Sequence, residues 1–494
     1  MVAPNQERIS NFLRSDRVTY KGLEKENLRS DIEGKISNKT FPDSFGVHNY
    51  NRYITLDYSE PHLEVVTPPF ASNKEVFNFL CDLHSHVENN LDGDLLWNYS
   101  MPPKFKSKYI KLPPHRETNT TKLAHLYRLG LRNRYGDKMQ STAGIHFNFS
   151  FSESALSNLG IDKTELYLGT CRNFLRLFPM ILRLMGCSPV AHKSFLKGRS
   201  INIENLNDED CYLPKSTSLR VSRLGYYSEE QDEKFITFNT LEDYLKTIRD
   251  YINTPNEKFS NISLDLKQQV NNGTIQMESE LYNHIRPKGI ISKDMRAYNQ
   301  LKENGIEYLE IRSIDLNPYS EIGISMEDIE FLELISLYCA LSDSPLISEV
   351  ESLCIKENIR RSSETGQDCN FILSLDGDEA ETSAEKLTQN FLKDLDHFAK
   401  LIGLRKNKKQ MFDDFYARNK KTLSKRFVED VKKSGGVLPM IIERSVLTKK
   451  IIDKNNLSLF KKETELSVNE YLKEKNEDKI LFEDYLETFR GEIK

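Results

Sequence analysis

The stretch GIHFNFSFS, residues 144–152, places Ile145, Phe147, Phe149 and Phe151 at every second position, with His146, Asn148 and Ser150 between them. Period two is the period of a β-strand, so this stretch must sink one face into an apolar core and turn the other toward water or a cavity. EYLEIRSIDL repeats the pattern, with Leu309 and Ile311 on the apolar face and Glu310 and Arg312 on the other. RYITLDYSE and HLEVVTPPF read as further strand segments, closed by Pro68 and Pro69. Helical patterns fill the intervals without a βαβα rhythm. The expected class is therefore α+β, built on a mainly antiparallel sheet.

Among the helical segments, SNKEVFNFLCDLHSHVENNL starts at Ser72, with Glu75 three residues on as a capping box. SMEDIEFLELISLYCAL starts at Ser325, has Asp328 at the third position, and carries Ile329, Leu332, Ile335, Tyr338 and Leu341 along one face. From about Ala384 the pattern is almost wholly helical. LSLDGDEAETSAE suits a surface linker. The expected organisation is a catalytic core over residues 1–375 and a helical C-terminal region, 376–494, packed on it.

With 494 residues, 69 Lys+Arg and 74 Asp+Glu, the net charge is −5. A balance of that kind argues against a nucleic-acid binder, which shows a basic domain or stripe. Apolar residues make up 38%, too many for disorder. The densest apolar stretch, Leu177 to Leu182, contains Pro179 and stops at Arg183, far short of the ~20 residues that span a bilayer. The first residues carry no apolar h-region. The seven cysteines are odd in number and form no CxxC. They read as small buried hydrophobes in a reducing compartment. The chain is expected to be a soluble cytoplasmic protein without membrane or nucleic-acid partners.

The carboxylates point to chemistry. Glu24 and Glu26, two apart in KGLEKENLRSD, project to one face of an extended segment. Asp57, Glu60 and Glu64 fall in an otherwise apolar stretch, while His146 and Glu310 sit on the polar sides of apolar strands. Singly, each is an ordinary solvated edge residue or a hydrogen-bonded histidine. Converging on one sheet they are not ordinary. Two carboxylates ~4 Å apart repel by about 4 kcal/mol at an effective dielectric near 20. Such a group takes up protons or binds cations. Carboxylates with one imidazole and no thiolate suit Mg²⁺ or Mn²⁺, which complete their shells with water and substrate phosphates. No GxxxxGK[ST] loop is present, and no GxGxxG follows a strand. Any nucleotide must then be held by metals and arginines. Arg312 is placed for that, or for an ion pair with Glu310.

Six stretches in order extend the pattern: KGLEKENLR, ITLDYSEPHLEVVTP, LYRLGLRNRYGDKMQSTAGIHFNFS, YLPKSTSLRVSRLGY, ELYNHIRPK and GIEYLEIRSIDLNPYSEIGI. In these the chain resembles the glutamate–cysteine ligases of the monofunctional bacterial type, from about Tyr20 to Leu346. The resemblance implies a glutamine-synthetase-like fold, a curved antiparallel sheet forming a funnel lined by catalytic carboxylates. It implies metal ligands at Glu24, Glu26, Asp57, Glu64, His146 and Glu310, with Glu60 less secure. It also implies a cysteine pocket of Tyr127, Tyr226 and Tyr282 with Leu131 nearby, Arg220 as the clamp for glutamate, and Arg312 against phosphate. Arg220 and Arg312 stand as the catalytic arginines.

The implied reaction joins the γ-carboxylate of glutamate to the amine of cysteine through γ-glutamyl phosphate, releasing ADP and phosphate, as the first step of glutathione biosynthesis. ATP is the co-substrate and Mg²⁺ or Mn²⁺ the metal. The resemblance further implies a monomer, and no residue presents itself as general base. Three alternatives stand beside this reading. A ligase of the same fold could join glutamate to a different amine, an enzyme could transfer phosphate to a guanidine, or a cation-binding protein could have kept only the fold.

Overall fold

The computed structural model describes residues 2–196, 203–233, 235–290, 295–375, 378–451 and 458–493. Its strands are β1 (Thr19–Ser30), β2 (Ile54–Leu56), β3 (His62–Val66), β4 (Leu95–Trp97), β5 (Gly144–Phe151), β6 (Val190–His192), β7 (Glu204–Asn205), β8 (Asp210–Tyr212), β9 (Ile285–Lys288), β10 (Tyr308–Asp315), β11 (Asn370–Leu375) and β12 (Asp378–Ser383). A seven-stranded sheet runs β2-β3-β1-β5-β10-β9, with β4 on the far end of β1. Each of its pairings is antiparallel. β6, β8 and β7 form a smaller sheet.

Register explains how residues far apart in sequence reach one place. Opposite β1, Glu24 pairs with His146 of β5 and Glu26 with Glu64 of β3. Asn148 of β5 lies opposite Glu310 of β10, and Glu310 in turn opposite Arg286 of β9. Directly paired residues share a face, so these side chains line one side of the sheet. The other side carries Leu23, Phe147, Phe149, Leu309 and Ile311, all buried. Helices Lys163–Met185 and Met326–Ala340 cover that apolar side and are themselves buried along most of their length. No helix among the described residues is long and apolar enough to cross a membrane.

Local expectations fare differently. Ser325 and Asp328 form a complete capping box: aspartate, shorter than the usual glutamate, still reaches the cap N–H. Ser72 stands at its N-cap, but its side chain makes no capping bond, so the box expected with Glu75 does not form. The expected linker is instead a hairpin, β11 against β12. The boundary expected between 375 and 376 falls at its tip, where 376 and 377 lie outside the described residues.

The later helices enter the same core. Phe391, Leu395, Phe398, Phe412 and Phe415 are buried, and Phe415 stacks on Phe331 with ring centroids 3.6 Å apart. A buried ion network joins three regions: Glu333 takes Lys21 of β1 at 2.9 Å and Lys408 at 3.1 Å. Helix Ser458–Glu477 lies back across the start of the chain. Its Glu463 pairs with Arg52, and its Phe460 meets Tyr53 and Phe79. Gly46, at φ 76°, allows that approach. A Cβ there would come within 2.2 Å of Ser467 Oγ and 2.8 Å of the Thr464 carbonyl.

Candidate active site

His146 is the hub of the polar face. Its Nδ1 lies 2.9 Å from Glu24 Oε2 and 3.8 Å from Glu310 Oε1, and its Nε2 lies 3.3 Å from Glu26 Oε1. Glu24, Glu64 and His146 each offer a ligand atom within 4.8 Å of the others. Asp57 follows β2 and reaches the site from its mouth, with its side chain 42% exposed and 3.3 Å from His62 Nδ1. Leu56, Tyr58, Ser59 and Glu60 around it are buried, as the apolar stretch leads one to expect, and Asp57 alone turns outward because the chain leaves the strand there. Glu24, Glu26, Glu64, His146 and Glu310 share this face, and Asp57 approaches it from the turn after β2. Glu60 does not: its carboxylate accepts the Phe41 N–H, and its carbonyl accepts from Arg29 at 2.8 Å.

The electrostatics separate these carboxylates. Burial, and then the charges of Glu24, Asp57 and Glu26, push Glu64 well above the usual carboxylate range. Burial also works to raise Glu310, but Arg312, Lys288, His146 and Arg286 together hold it well below that range. For Glu24, burial and Glu310 pull upward, and the hydrogen bond and charge of His146, with Lys288, bring it below its ordinary value. Among the buried atoms here that make no hydrogen bond are His146 Nε2 and Asn148 Oδ1, while Glu310 Oε2 meets only the charge of Arg312. Oxygen-rich donors, one imidazole and orphaned acceptors fit a hard divalent cation.

Cations flank the carboxylates. Arg312 Nη1 lies 3.0 Å from Glu310 Oε2, so the ion pair exists, while the arginine also lines a small cavity on this face. Arg220 is buried and held toward the β10 carbonyls of Arg312 and Ile314, at 3.4 and 3.5 Å, with its Nη2 3.9 Å from Glu26 Oε2. Gly144 makes room for it. A Cβ at Gly144 would sit 2.2 Å from Arg220 Nη2, and the Gly144 N–H donates to Glu26 Oε2 at 2.7 Å.

The cavity among these groups holds about 50 Å³, with Glu26, Asp57, His146, Arg220, Tyr226 and Arg312 in its wall. Tyr226 and Tyr282 meet edge to face at 4.4 Å. Tyr127 lies near enough to both that its charge would act on theirs, and burial pushes all three phenols upward. Tyr226 and Tyr282 line the cavity, whereas Tyr127 stands near them without lining it. Leu131, one turn beyond Tyr127, is buried in the apolar cluster against which Tyr127 packs.

Several residues of this site were not singled out from sequence. Asn148 donates to Glu24 at 2.9 Å, Gln140 donates to the Tyr282 hydroxyl at 3.0 Å, and Lys288 lies 3.7 Å from Glu310. Arg128 braces the Asp57 turn, donating to the Leu56 and Asp57 carbonyls at 2.7 and 2.8 Å. Asn148 was findable, since it sits two residues after His146 on the same strand face. Arg286 and Lys288 alternate about Pro287 in the same way. Gln140 and Arg128 lie on or beside a helix, where no period marks them.

Comparison with known proteins shows the family and the fold. A family model described as glutamate–cysteine ligase matches residues 8–362. The glutamate–cysteine ligase of Wigglesworthia glossinidia brevipalpis is 35% identical over 492 residues, covering 93% of this chain and 96% of the relative. That of Hahella chejuensis is 38% identical over 354 residues, covering 69% of this chain and 67% of its own. A solved structure of glutamate–cysteine ligase from Francisella tularensis in complex with AMP superposes with a TM-score of 0.90 at 24% identity, covering 96% of this chain and 97% of that one. A bifunctional glutathione synthetase from Pasteurella multocida superposes at 0.70 and 22% identity, over 90% of this chain and 53% of that one. The sheet is thus the glutamine-synthetase-like one. With a family match over most of its length and the carboxylate face beneath it, the chain belongs to the glutamate–cysteine ligase family.

Proposed function

We propose that the polar face of the sheet is where this chain carries out its family's reaction, with Glu24, Glu26, Asp57, Glu64, His146 and Glu310 holding Mg²⁺ or Mn²⁺. The reaction is the ATP-dependent joining of L-glutamate and L-cysteine to γ-glutamylcysteine, the first step of glutathione biosynthesis. The observation that carries the assignment is the meeting of Glu24, Glu64 and His146 within 4.8 Å, beside buried arginines. A bound divalent cation would neutralise the phosphoryl oxygens and the carboxylates at once.

The chain's own residues supply the rest. Arg220, aimed past Glu26, binds the α-carboxylate of glutamate and points the γ-carboxylate at the phosphate. Arg312 offsets the charge that the transferring phosphoryl group spreads over its oxygens. Tyr127, Tyr226 and Tyr282, with Leu131 behind them, enclose the thiol. Burial keeps these phenols protonated, so they put no charge beside it. They also exclude water from an acyl phosphate that would otherwise hydrolyse. The nucleotide extends from Arg286 and Lys288 into a neighbouring cavity of about 300 Å³, lined by Tyr244, Ile248 and Tyr298. The Francisella tularensis protein of the same fold is known with AMP, which supports a nucleotide as a ligand of this fold. The chain acts in the cytoplasm as a monomer, its residues 1–375 forming the catalytic core and the helical remainder bracing it.

The test is ADP release with glutamate and a panel of amines. Cysteine should be preferred, and oxygen-18 placed in the glutamate γ-carboxylate should appear in the released phosphate. Release of AMP with pyrophosphate would overturn the acyl-phosphate route. Equal rates with every amine would overturn the thiol pocket.

A further inference from the structure

We propose that this ligase also takes a cysteinyl dipeptide as its amine, joining glutamate to the free amine of Cys-X to give a γ-glutamyl tripeptide. The inference rests on the reading above. It arises from a mismatch in size. The catalytic cavity holds about 50 Å³, yet behind Tyr226 and Tyr282 lies a second cavity of about 400 Å³. The two share a wall made of Val221, Tyr226, Tyr282, Asn283 and His284. Once the thiol sits among the tyrosines and the amine faces the acyl carbon, the acceptor's α-carboxyl is the group left to face that wall. A free carboxylate leaves nearly all of the larger space unfilled.

The lining of that space suits one further residue ending in a carboxylate. On the shared wall, Asn283 Nδ2 is buried without a hydrogen-bond partner and can donate to the carbonyl of the Cys-X peptide bond. The middle is apolar, with Leu175, Phe235, Leu281 and Ile359. Three cations stand among the lining residues, Arg223, Lys356 and Arg360, against two carboxylates, Asp232 and Glu357. The arginines are tied to Glu364 and Glu357, and Lys356 to both the carbonyl and, at 3.0 Å, the carboxylate of Asp232, with 37% of its side chain exposed. An ammonium on a flexible stem, half in water, can turn to a terminal carboxylate. The bonds made and broken are those of the parent reaction. The dipeptide nitrogen bonds the γ-carbonyl carbon, the carbon–oxygen bond to phosphate breaks, and the amine's proton leaves with the phosphate. ATP, glutamate and Cys-X become ADP, phosphate and γ-glutamyl-Cys-X.

The experiment compares cysteine, cysteinylleucine and cysteinylleucine amide as acceptors for the full chain with Mg²⁺, ATP and glutamate. ADP is followed by a coupled assay and the tripeptide by mass spectrometry. Cysteinylleucine should be turned over with a kcat/KM within about a hundredfold of cysteine. Lys356→Glu should raise the KM for cysteinylleucine about tenfold, and that for its amide or for cysteine less than twofold. Leu353→Trp, at a lining position 61% exposed, should narrow the second cavity without disturbing the fold, and cost only the dipeptides. ADP release with cysteinylleucine at the level seen without any amine, in protein that turns over cysteine, overturns the proposal and leaves the ligase reading standing. Equal losses on cysteine and dipeptide in both variants overturn it too. Failure with cysteine itself would remove the reading beneath.

Discussion

Replacing Glu24, Glu64 or Glu310 by glutamine keeps the shape of each side chain and removes its charge. Turnover should fall about a hundredfold or more in each, since each would loosen the divalent cation that offsets the phosphoryl charge. The metal-free Glu64→Gln protein should melt no lower than the parent, because burial and three neighbouring carboxylates already disfavour the Glu64 charge. Steady-state ADP release checks the first statement and melting curves without Mg²⁺ the second, which a lower midpoint in the variant would contradict. Gly144→Ala tests Arg220 without touching it. The new methyl must displace the guanidinium, so the KM for glutamate should rise far more than that for cysteine. Truncating Tyr226 or Tyr282 should do the reverse. The carboxylates were legible as residues because a charged group on an apolar strand is costly enough to need a reason. Gly144 was not, since its use depends on an arginine 76 positions later.

At the scale of elements, the alternating strands β5 and β10 were visible because one face is wholly apolar. The short β2 was visible only as part of a longer segment, whose continuation turns at Asp57 under the hold of Arg128. Hairpin β11–β12 was hidden by its composition, as Asp, Glu and Ser read equally well as a solvated linker. Helix Met326–Ala340 carries the feature with the largest expected energetic effect. Its Glu333 is drawn down to about 2: burial opposes its charge, and Lys408 and Lys21 outweigh burial. A carboxyl whose folded pKa lies below the unfolded 4.5 contributes stability above that value, and the contribution is lost as pH falls toward 2. The urea midpoint should therefore drop through that window. Glu333→Gln should flatten the drop and cost about 3 kcal/mol at neutral pH, because it leaves two buried lysines uncompensated.

Across the whole molecule, helix Ser458–Glu477 is fastened over an early segment of the chain at Gly46, Arg52 and Tyr53. Gly46→Ala should pry that helix away, since the added methyl meets backbone at Thr464 as well as the Ser467 side chain, and its φ disfavours any Cβ. Proteolysis should then cut first in the last forty residues while glutamate and cysteine kinetics change little. Faster loss of the N-terminal strands would show that the helix holds the sheet itself. This fastening could not be read from sequence, because an exposed Lys/Glu-rich helix carries no mark of its partner.

The strand order carries a consequence for how the protein is made. β1 emerges from the ribosome early, yet its neighbour β5 has no second partner until β10 follows, about a third of the chain later. Throughout that interval a row of unpaired N–H and C=O groups, backed by four aromatic or branched side chains, stays available to any passing strand. Nascent chains halted between β5 and β10 should accordingly depend on chaperones, whereas those released after β10 should not.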